Sequence, residues 1–233
     1  VVAGHGAAFG AQAVANVLHG YARLTKCGLA LSLVPLEPLG AAARRLAGAM
    51  EPQHVSNSLW AYATFGASPG RATLDALEAA AARTARSMDP QAVANVLWSY
   101  ATLGEAPTRA TLDALEAAAA RTARSSNAQD VANVLWSYAT LGEAPARATL
   151  DALEAAVART AQSMLPQHVA NALWSYATLG EAPARATYDA LEAAAARTAE
   201  SMVPQAVANV LWSHATLGEA PARATLEALE AAV

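Results

Sequence analysis

Apolar and polar residues follow a helical beat along this chain, and the beat itself repeats. Within 90–104, Val93, Ala94, Leu97, Trp98, Tyr100 and Ala101 share one side of a helix projected at about 100° per residue. Gln91, Ala92, Asn95, Val96, Ser99 and Thr102 share the other side. The first set is expected to be buried and the second, where polar side chains gather, to face solvent. Asp89 is a good N-cap, Pro90 suits the first helical position, and Gly104 ends the run as a left-handed C-cap. This predicts a helix, called A, over 90–103. The connector Glu105-Ala106-Pro107 leads to a second helix, B, opened by Pro107 and running to about Arg124. It is rich in the strong helix formers alanine, leucine, glutamate and arginine. Asp113 near its start and Arg121 and Arg124 near its end suit the helix dipole. No segment has the pattern of a strand.

The A–B unit recurs almost verbatim. Asn57, Asn95, Asn133, Asn171 and Asn209 stand 38 residues apart; Trp60, Trp98, Trp136, Trp174 and Trp212 follow them, and Gly66, Gly104, Gly142, Gly180 and Gly218 keep the same step. A degenerate copy around Asn16 carries His19 at the Trp position and lies 41 residues before Asn57. Terminal repeats of a stack often depart from the pattern, because one side has no neighbour. Short loops between alternating helices predict an all-α fold, a right-handed α-solenoid of stacked antiparallel helix pairs. Its units are expected at about 8–50 (degenerate), 51–88, 89–126, 127–164, 165–202 and 203–233 (truncated), within a single solenoid domain over 1–233. Burying a Trp or Leu side chain contributes roughly 1.5–3 kcal/mol. The five Trp residues are therefore expected to form the spine of the core, with base stacking as the alternative.

The composition narrows the functional classes. The formal net charge is −4 and Lys26 is the single lysine, so charge alone does not favour a nucleic-acid partner. No run of about 18 apolar residues appears, and no membrane partner is expected. The lone Cys27 cannot form an internal disulfide, which fits a reducing compartment. The chain begins Val1-Val2-Ala3 and ends at Val233 within a unit, so it reads as part of a longer protein, with any targeting segment outside it. His5, His19, His54, His168 and His214 lack metal-ligand spacing, and no phosphate loop or nucleophile elbow is visible. A binding surface is expected rather than an enzyme, with no metal and no cofactor.

Variation between units marks where such a surface would lie. Three residues before the Asn stand His54, Ala92, Asp130, His168 and Ala206; one after it stand Ser58, Val96, Val134, Ala172 and Val210; four after it, Ala61 gives way to Ser99, Ser137, Ser175 and Ser213. With Asn57, Asn95, Asn133, Asn171 and Asn209, these positions fall within about 100° of arc on helix A. A fixed scaffold with a few variable residues on one stripe suits a modular reader; drift at solvent positions is the bland alternative. The Asn itself fits either a base or ribose contact or an internal amide bond. Arg71, Arg109, Arg147, Arg185 and Arg223 open helix B in successive units. They are candidate phosphate contacts. Pairing with Asp75, Asp113, Asp151, Asp189 and Glu227, four residues on, is slightly favoured. Arg83, Arg121, Arg159 and Arg197 carry the same ambiguity.

Units such as Pro90-Gln91-Ala92-Val93-Ala94-Asn95-Val96-Leu97-Trp98-Ser99-Tyr100-Ala101-Thr102-Leu103-Gly104, at this period, resemble octotricopeptide repeats over roughly residues 11–233. The tetratricopeptide and ankyrin periods, about 34 and 33 residues, fit less well. The resemblance implies an organelle protein of an alga, in chloroplast or mitochondrion, that binds single-stranded messenger or ribosomal RNA. It also implies work in transcript stabilisation, processing, translation or ribosome assembly, and base contacts from the variable A-helix stripe. A protein-binding scaffold, or a structural subunit of a complex such as an organelle ribosome, is the alternative; protein partners in a ribonucleoprotein fit both.

Overall fold

The computed structural model of the protein describes residues 9–232; His5 and the first residues of the degenerate unit lie outside the described residues. Contacts gather the chain into two compact units, residues 1–118 and 119–233, each with its own layers of helices. The first contains α1 (Ala11–Lys26), α2 (Leu36–Leu46), α3 (Pro52–Phe65), α4 (Arg71–Thr84) and α5 (Pro90–Leu103), and most of α6 (Arg109–Thr122). The second contains α7 (Ala128–Leu141), α8 (Arg147–Thr160), α9 (Pro166–Leu179), α10 (Arg185–Thr198), α11 (Pro204–Leu217) and α12 (Arg223–Glu230). Odd-numbered helices are A and even-numbered ones B. Among the described residues every element is helical, and no helix is long and apolar enough to cross a membrane.

The helix ends follow from local chemistry. Gly104 takes a left-handed φ of 67° after α5, and its N–H reaches the Ala101 carbonyl while Glu105 N–H reaches Tyr100. That satisfies carbonyls the helix leaves orphaned, in a conformation a side chain would strain. Helix B starts at Arg109, two residues after Pro107, and closes in a short 3-10 turn at Ala123–Ser125. Equivalent turns close α4, α8 and α10.

Within each unit the A helices pack side by side, α1 on α3 on α5 in the first and α7 on α9 on α11 in the second. The B helices form the other layer, α2 on α4 and α8 on α10 on α12. The core lies between the layers. Tyr62 and Tyr100 are buried there with Leu59, Leu74, Leu77 and Leu97; Tyr138 and Tyr176 occupy the same place in the second unit. The Trp residues are absent from this core, against the expectation that they form its spine. At about 100° per residue Tyr100 points directly away from Gln91, whereas Trp98 lies within about 20° of it. The tyrosine is therefore the residue that faces the B layer. Small residues, Ala92, Val96 and Ser99 on α5, fill the narrow space between neighbouring A helices.

Two polar contacts recur between successive units. Arg83 Nη2 donates to the carbonyls of Ala47 at 3.0 Å and Met50 at 2.8 Å. Arg159 does the same to Ala123 at 3.1 Å and Ser126 at 2.7 Å, and Arg197 to Ala161 at 3.2 Å and Met164 at 2.9 Å. Each of these arginines thus staples its B helix to the preceding turn, which removes them as candidates for phosphate. The second contact caps the next B helix. Glu78 Oε1 accepts from the Thr108 N–H at 2.8 Å, the Thr108 hydroxyl at 2.6 Å and the Thr111 hydroxyl at 3.0 Å. Burial disfavours its charged form, but these hydrogen bonds and Arg71 outweigh burial and hold the carboxyl below its ordinary value. Glu154 accepts likewise from Ala184 N–H at 2.9 Å and Thr187 at 3.1 Å, and Glu192 from Ala222 N–H.

The last A helix breaks the tyrosine series. His214 stands where the other units have Tyr, and Tyr188 stands where α8 has Leu150. Both are buried, and the Tyr188 hydroxyl pairs with His214 Nδ1. The larger α10 residue fills the space that the shorter α11 residue leaves.

Arg159→Ala is expected to lower the unfolding free energy by about 1–2 kcal/mol, since both bonds engage a charged donor. Arg159→Lys should recover only part, because the shorter lysine does not hold two N–H groups in the fixed plane that lets Nη2 reach both carbonyls. An unchanged urea midpoint for the alanine variant would remove the staple from this account. A second expectation concerns pH. Burial lowers the His214 pKa, partly opposed by Glu192 and Glu219. The unfolded imidazole therefore binds protons more readily than the folded one. The resulting stabilisation is present above about pH 6.5 and is lost as pH falls through the lower folded value. The Tyr188→Leu/His214→Tyr double variant, which restores the pattern of α8 and α9, should show a smaller fall in Tm between pH 7.5 and 5.5 than the parent.

Candidate binding surface on the A helices

One narrow face of each A helix stays open to solvent. On α5 it carries Gln91, Asn95, Trp98 and Thr102, with Gln91 and Thr102 exposed and Asn95 and Trp98 half-buried. The spacing of four, three and four keeps these residues within about 60° of arc. The set repeats as Gln53, Asn57, Trp60 and Thr64 on α3; Gln129, Asn133, Trp136 and Thr140 on α7; Gln167, Asn171, Trp174 and Thr178 on α9; and Gln205, Asn209, Trp212 and Thr216 on α11. Each unit thus presents a ladder of amide, amide, indole and hydroxyl.

The asparagines belong to the expected stripe, but most of its other members do not face solvent. Ser58, Val96, Val134, Ala172 and Val210 are buried, as are Ser99, Ser137, Ser175 and Ser213. Each of these four serines donates its hydroxyl at 2.6 Å to the carbonyl of the Asn four residues earlier, Asn95, Asn133, Asn171 and Asn209. Ala92, Asp130 and Ala206 are also buried. An A helix has the B layer behind it and an A helix beside it, and α3 and α9 have one on either flank. A two-sided projection places the flanks in solvent; the packing does not.

The variation three residues before the Asn has a local cause in three units. Asp130 Oδ2 accepts from the Asn127 N–H at 3.2 Å, while Asn127 Oδ1 accepts from the N–H groups of Gln129 and Asp130 at 2.9 Å. This reciprocal cap replaces the proline that opens the other A helices of the full repeats. His54 Nδ1 accepts from the Glu51 N–H at 3.2 Å, and His168 Nδ1 from the Leu165 N–H at 3.3 Å. Burial lowers the His168 pKa, which favours the neutral ring that this bond requires. Where Ala92 stands, Asp89 caps the helix instead, accepting from the Ala92 N–H at 2.7 Å. These differences are capping chemistry.

The indoles form the aromatic part of the ladder. Trp212 is 46% exposed. Trp60 is covered by α1: the His19 ring lies 4.8 Å from it, tilted by 31°, and Lys26 Nζ stands 4.7 Å from its ring centre. An imidazole ring and an ammonium group therefore already contact this row at Trp60 within the chain.

Between neighbouring A helices the ladder borders grooves. One, of about 210 Å³, lies between α3 and α5, with Gln53 and Asn57 on one wall, Gln91 and Asn95 on the other, and Asp89 at the rim. Another, of about 550 Å³, lies between α9 and α11, where Gln167 and Asn171 face Gln205 and Asn209 and the rim carries Leu165 and Val203. No lysine or arginine lines either groove. Both grooves offer amide donors and acceptors beside apolar carbon, which is a setting for hydrogen bonding to a flat polar group rather than for holding a charge. Sequence reasoning missed the rim and the constant Gln. Spacing alone could have found the Gln, since it keeps the i, i+4, i+7 register with Asn and Trp.

The arginines that open the B helices stand elsewhere. Arg71, Arg109, Arg147 and Arg185 pair with Asp75, Asp113, Asp151 and Asp189 at 2.7–2.8 Å, and Arg223 with Glu227 at 2.7 Å. Arg147 also reaches Glu181 at 3.3 Å and Arg185 reaches Glu219 at 3.1 Å. Arg71 lines grooves of the B layer, with residues of α2, α4 and the adjoining loops. The structure thus does not bring these arginines into the A-helix grooves. Among the described residues no group of His, Cys, Asp or Glu is arranged to hold a metal.

A family profile described as a protein of unknown function, DUF1601, matches residues 75–97, 113–135 and 151–173. Each match runs from the second turn of a B helix, through its 3-10 turn, to the Leu before the Trp of the next A helix. One profile matching three times at the internal period agrees with the packing. This is a helical-repeat protein. No curated protein matches the chain. Among solved structures, a designed armadillo repeat protein, YIII(Dq)4CqI, aligns over 84% of this chain and 94% of its own at 15% identity. Its TM-score of 0.28 adds nothing to the packing described above.

Asp130→Ala is expected to lower stability by about 1 kcal/mol through loss of the reciprocal cap, and Asn127→Ala by a similar amount. Urea unfolding checks this; two variants as stable as the parent would return position 130 to the pool of residues without a structural task.

Proposed function

We propose that this chain binds single-stranded RNA along its A helices, one nucleotide to a unit. The observation that carries the reading is the open ladder of Gln, Asn and Trp, repeated at a constant interval beside a groove. Every nucleobase has a π-face that an indole can stack on and an edge that amides can pair with. The resemblance to octotricopeptide repeats points the same way. It extends the reading to a chloroplast or mitochondrial messenger or ribosomal RNA, and to work in transcript stabilisation, processing, translation or ribosome assembly. Side chains of the ladder replace the wider stripe as the base-contacting set: Asn57, Asn95, Asn133, Asn171 and Asn209 remain in it, and the flanking Ser, Val and Ala residues support it from below. With uncharged groove walls and with Arg71, Arg109, Arg147, Arg185 and Arg223 engaged by carboxylates, phosphate contacts contribute little in this account. The net charge of −4 and those ion pairs favour a second reading, a protein-binding scaffold within a ribonucleoprotein or organelle ribosome.

Selection from a random single-stranded RNA pool tests the first reading. The parent chain should enrich a defined sequence. Trp98→Ala and Trp174→Ala should each weaken binding about 5- to 150-fold, the range for loss of one base stack. Trp174→Phe should retain most of the affinity. Arg147→Ala should change it less than about threefold, with a shallow dependence on salt. A pool with no enrichment, together with a protein complex that survives nuclease, would favour the scaffold.

A further inference from the structure

We propose that the residue directly preceding an A helix, where it stands at the rim of a groove as Asp89, Leu165 and Val203 do, sets which base that unit accepts. This rests on the RNA-binding reading above.

These five positions hold Glu51, Asp89, Asn127, Leu165 and Val203, a different residue in every full unit. All five are exposed, and the Gln two residues further on never changes. Capping explains only part of the set. Asp89 and Asn127 cap their helices, as Asp and Asn commonly do. Leu and Val are among the poorest residues at this place, having no oxygen to accept from the first turn. They are not repaid by burial, for Leu165 is 61% and Val203 63% exposed. In both units the N–H that Asp89 takes up in α5 turns instead to the backbone, His168 N–H to the Leu165 carbonyl at 2.9 Å and Ala206 N–H to the Val203 carbonyl at 2.8 Å, so neither aliphatic side chain takes part in capping. An exposed branched aliphatic in place of a cap, twice in neighbouring units and both times at the rim of one groove, points to selection for what the groove holds.

The rim chemistry predicts the preference. Asp89 Oδ1 is engaged by the Ala92 N–H, which leaves Oδ2 as an acceptor beside the amides of Gln53, Asn57 and Asn95. A carboxylate there pairs readily with the exocyclic amino group of cytosine, adenine or guanine, whereas uracil offers only a ring N–H held between two carbonyl oxygens that the carboxylate repels. The groove rimmed by Leu165 and Val203 lacks that acceptor and contacts any base through apolar surface. The unit of Asp89 therefore disfavours uracil, and the units of Leu165 and Val203 accept it.

The test is RNA selection on the full chain, comparing the parent with Asp89→Asn, Asp89→Leu and Leu165→Asp. Asp89→Asn keeps the cap and removes only the carboxylate, so it separates recognition from folding; helical content by circular dichroism checks each protein. The expected result is that both Asp89 variants raise the share of uracil about tenfold at one position of the enriched sequence. Leu165→Asp should deplete uracil by a similar factor at a different position of the enriched sequence, the other positions staying as in the parent. A parent that enriches RNA with position preferences identical in all three variants overturns this inference and leaves the RNA-binding reading standing. A parent that enriches nothing overturns both.

Discussion

Everything in this protein depends on how completely the array encloses each A helix. In α3 and α9 a flanking A helix on either side and the B layer behind leave about 60° of open arc. Only residues spaced four, three and four can share so narrow a window. Gln, Asn, Trp and Thr occupy it in each full unit. The enclosure also dictates the rest of the helix: alanine, valine and serine where A helices approach each other, and tyrosine and leucine toward the B layer. Because the four open positions are repeated rather than varied, the full units offer the same set of side chains there and differ at the residue before the helix.

The enclosure is maintained by contacts that bridge one unit to the next. Arginine Nη2 groups bind the carbonyls of the preceding turn, and glutamates cap the following B helix. These residues are charged and recur strictly, so a survey of charge alone cannot tell them from a ligand-binding row. Geometry does, because their partners are backbone groups of the chain itself, which a helix leaves orphaned at its ends. With those charges committed, binding on the A face must draw on stacking and neutral hydrogen bonds.

How much of this could be seen in the residues depends on the range of the forces concerned. The helix limits were legible, because Asp89, Pro90 and Gly104 act on their immediate neighbours; Pro90–Leu103 is the helix the pattern predicts. The all-helical array was legible for the same reason. The open face is not legible in this way: Val96 and Ser99 look solvent-facing only when one flank of the helix is imagined empty. The Trp was assigned to the core on size, although Tyr100, at the opposite phase, fills it. The His, Ala and Asp series at positions 54, 92, 130, 168 and 206 looked like a code and in three units is capping. Sequence variation locates a position that tolerates change; only the hydrogen bonds show whether that change answers to the helix or to a ligand.

The central claim is that the ladder, and not the B layer, is the working surface. The most direct test follows the backbone amide and indole N–H resonances of the whole chain as an enriched single-stranded RNA is added. The account predicts that the indoles of Trp98, Trp136 and Trp174 and the amides around Asn95, Asn133 and Asn171 shift together. The arginine-bearing starts of the B helices should stay still. Shifts confined to the B helices, with the indoles unmoved, would contradict it.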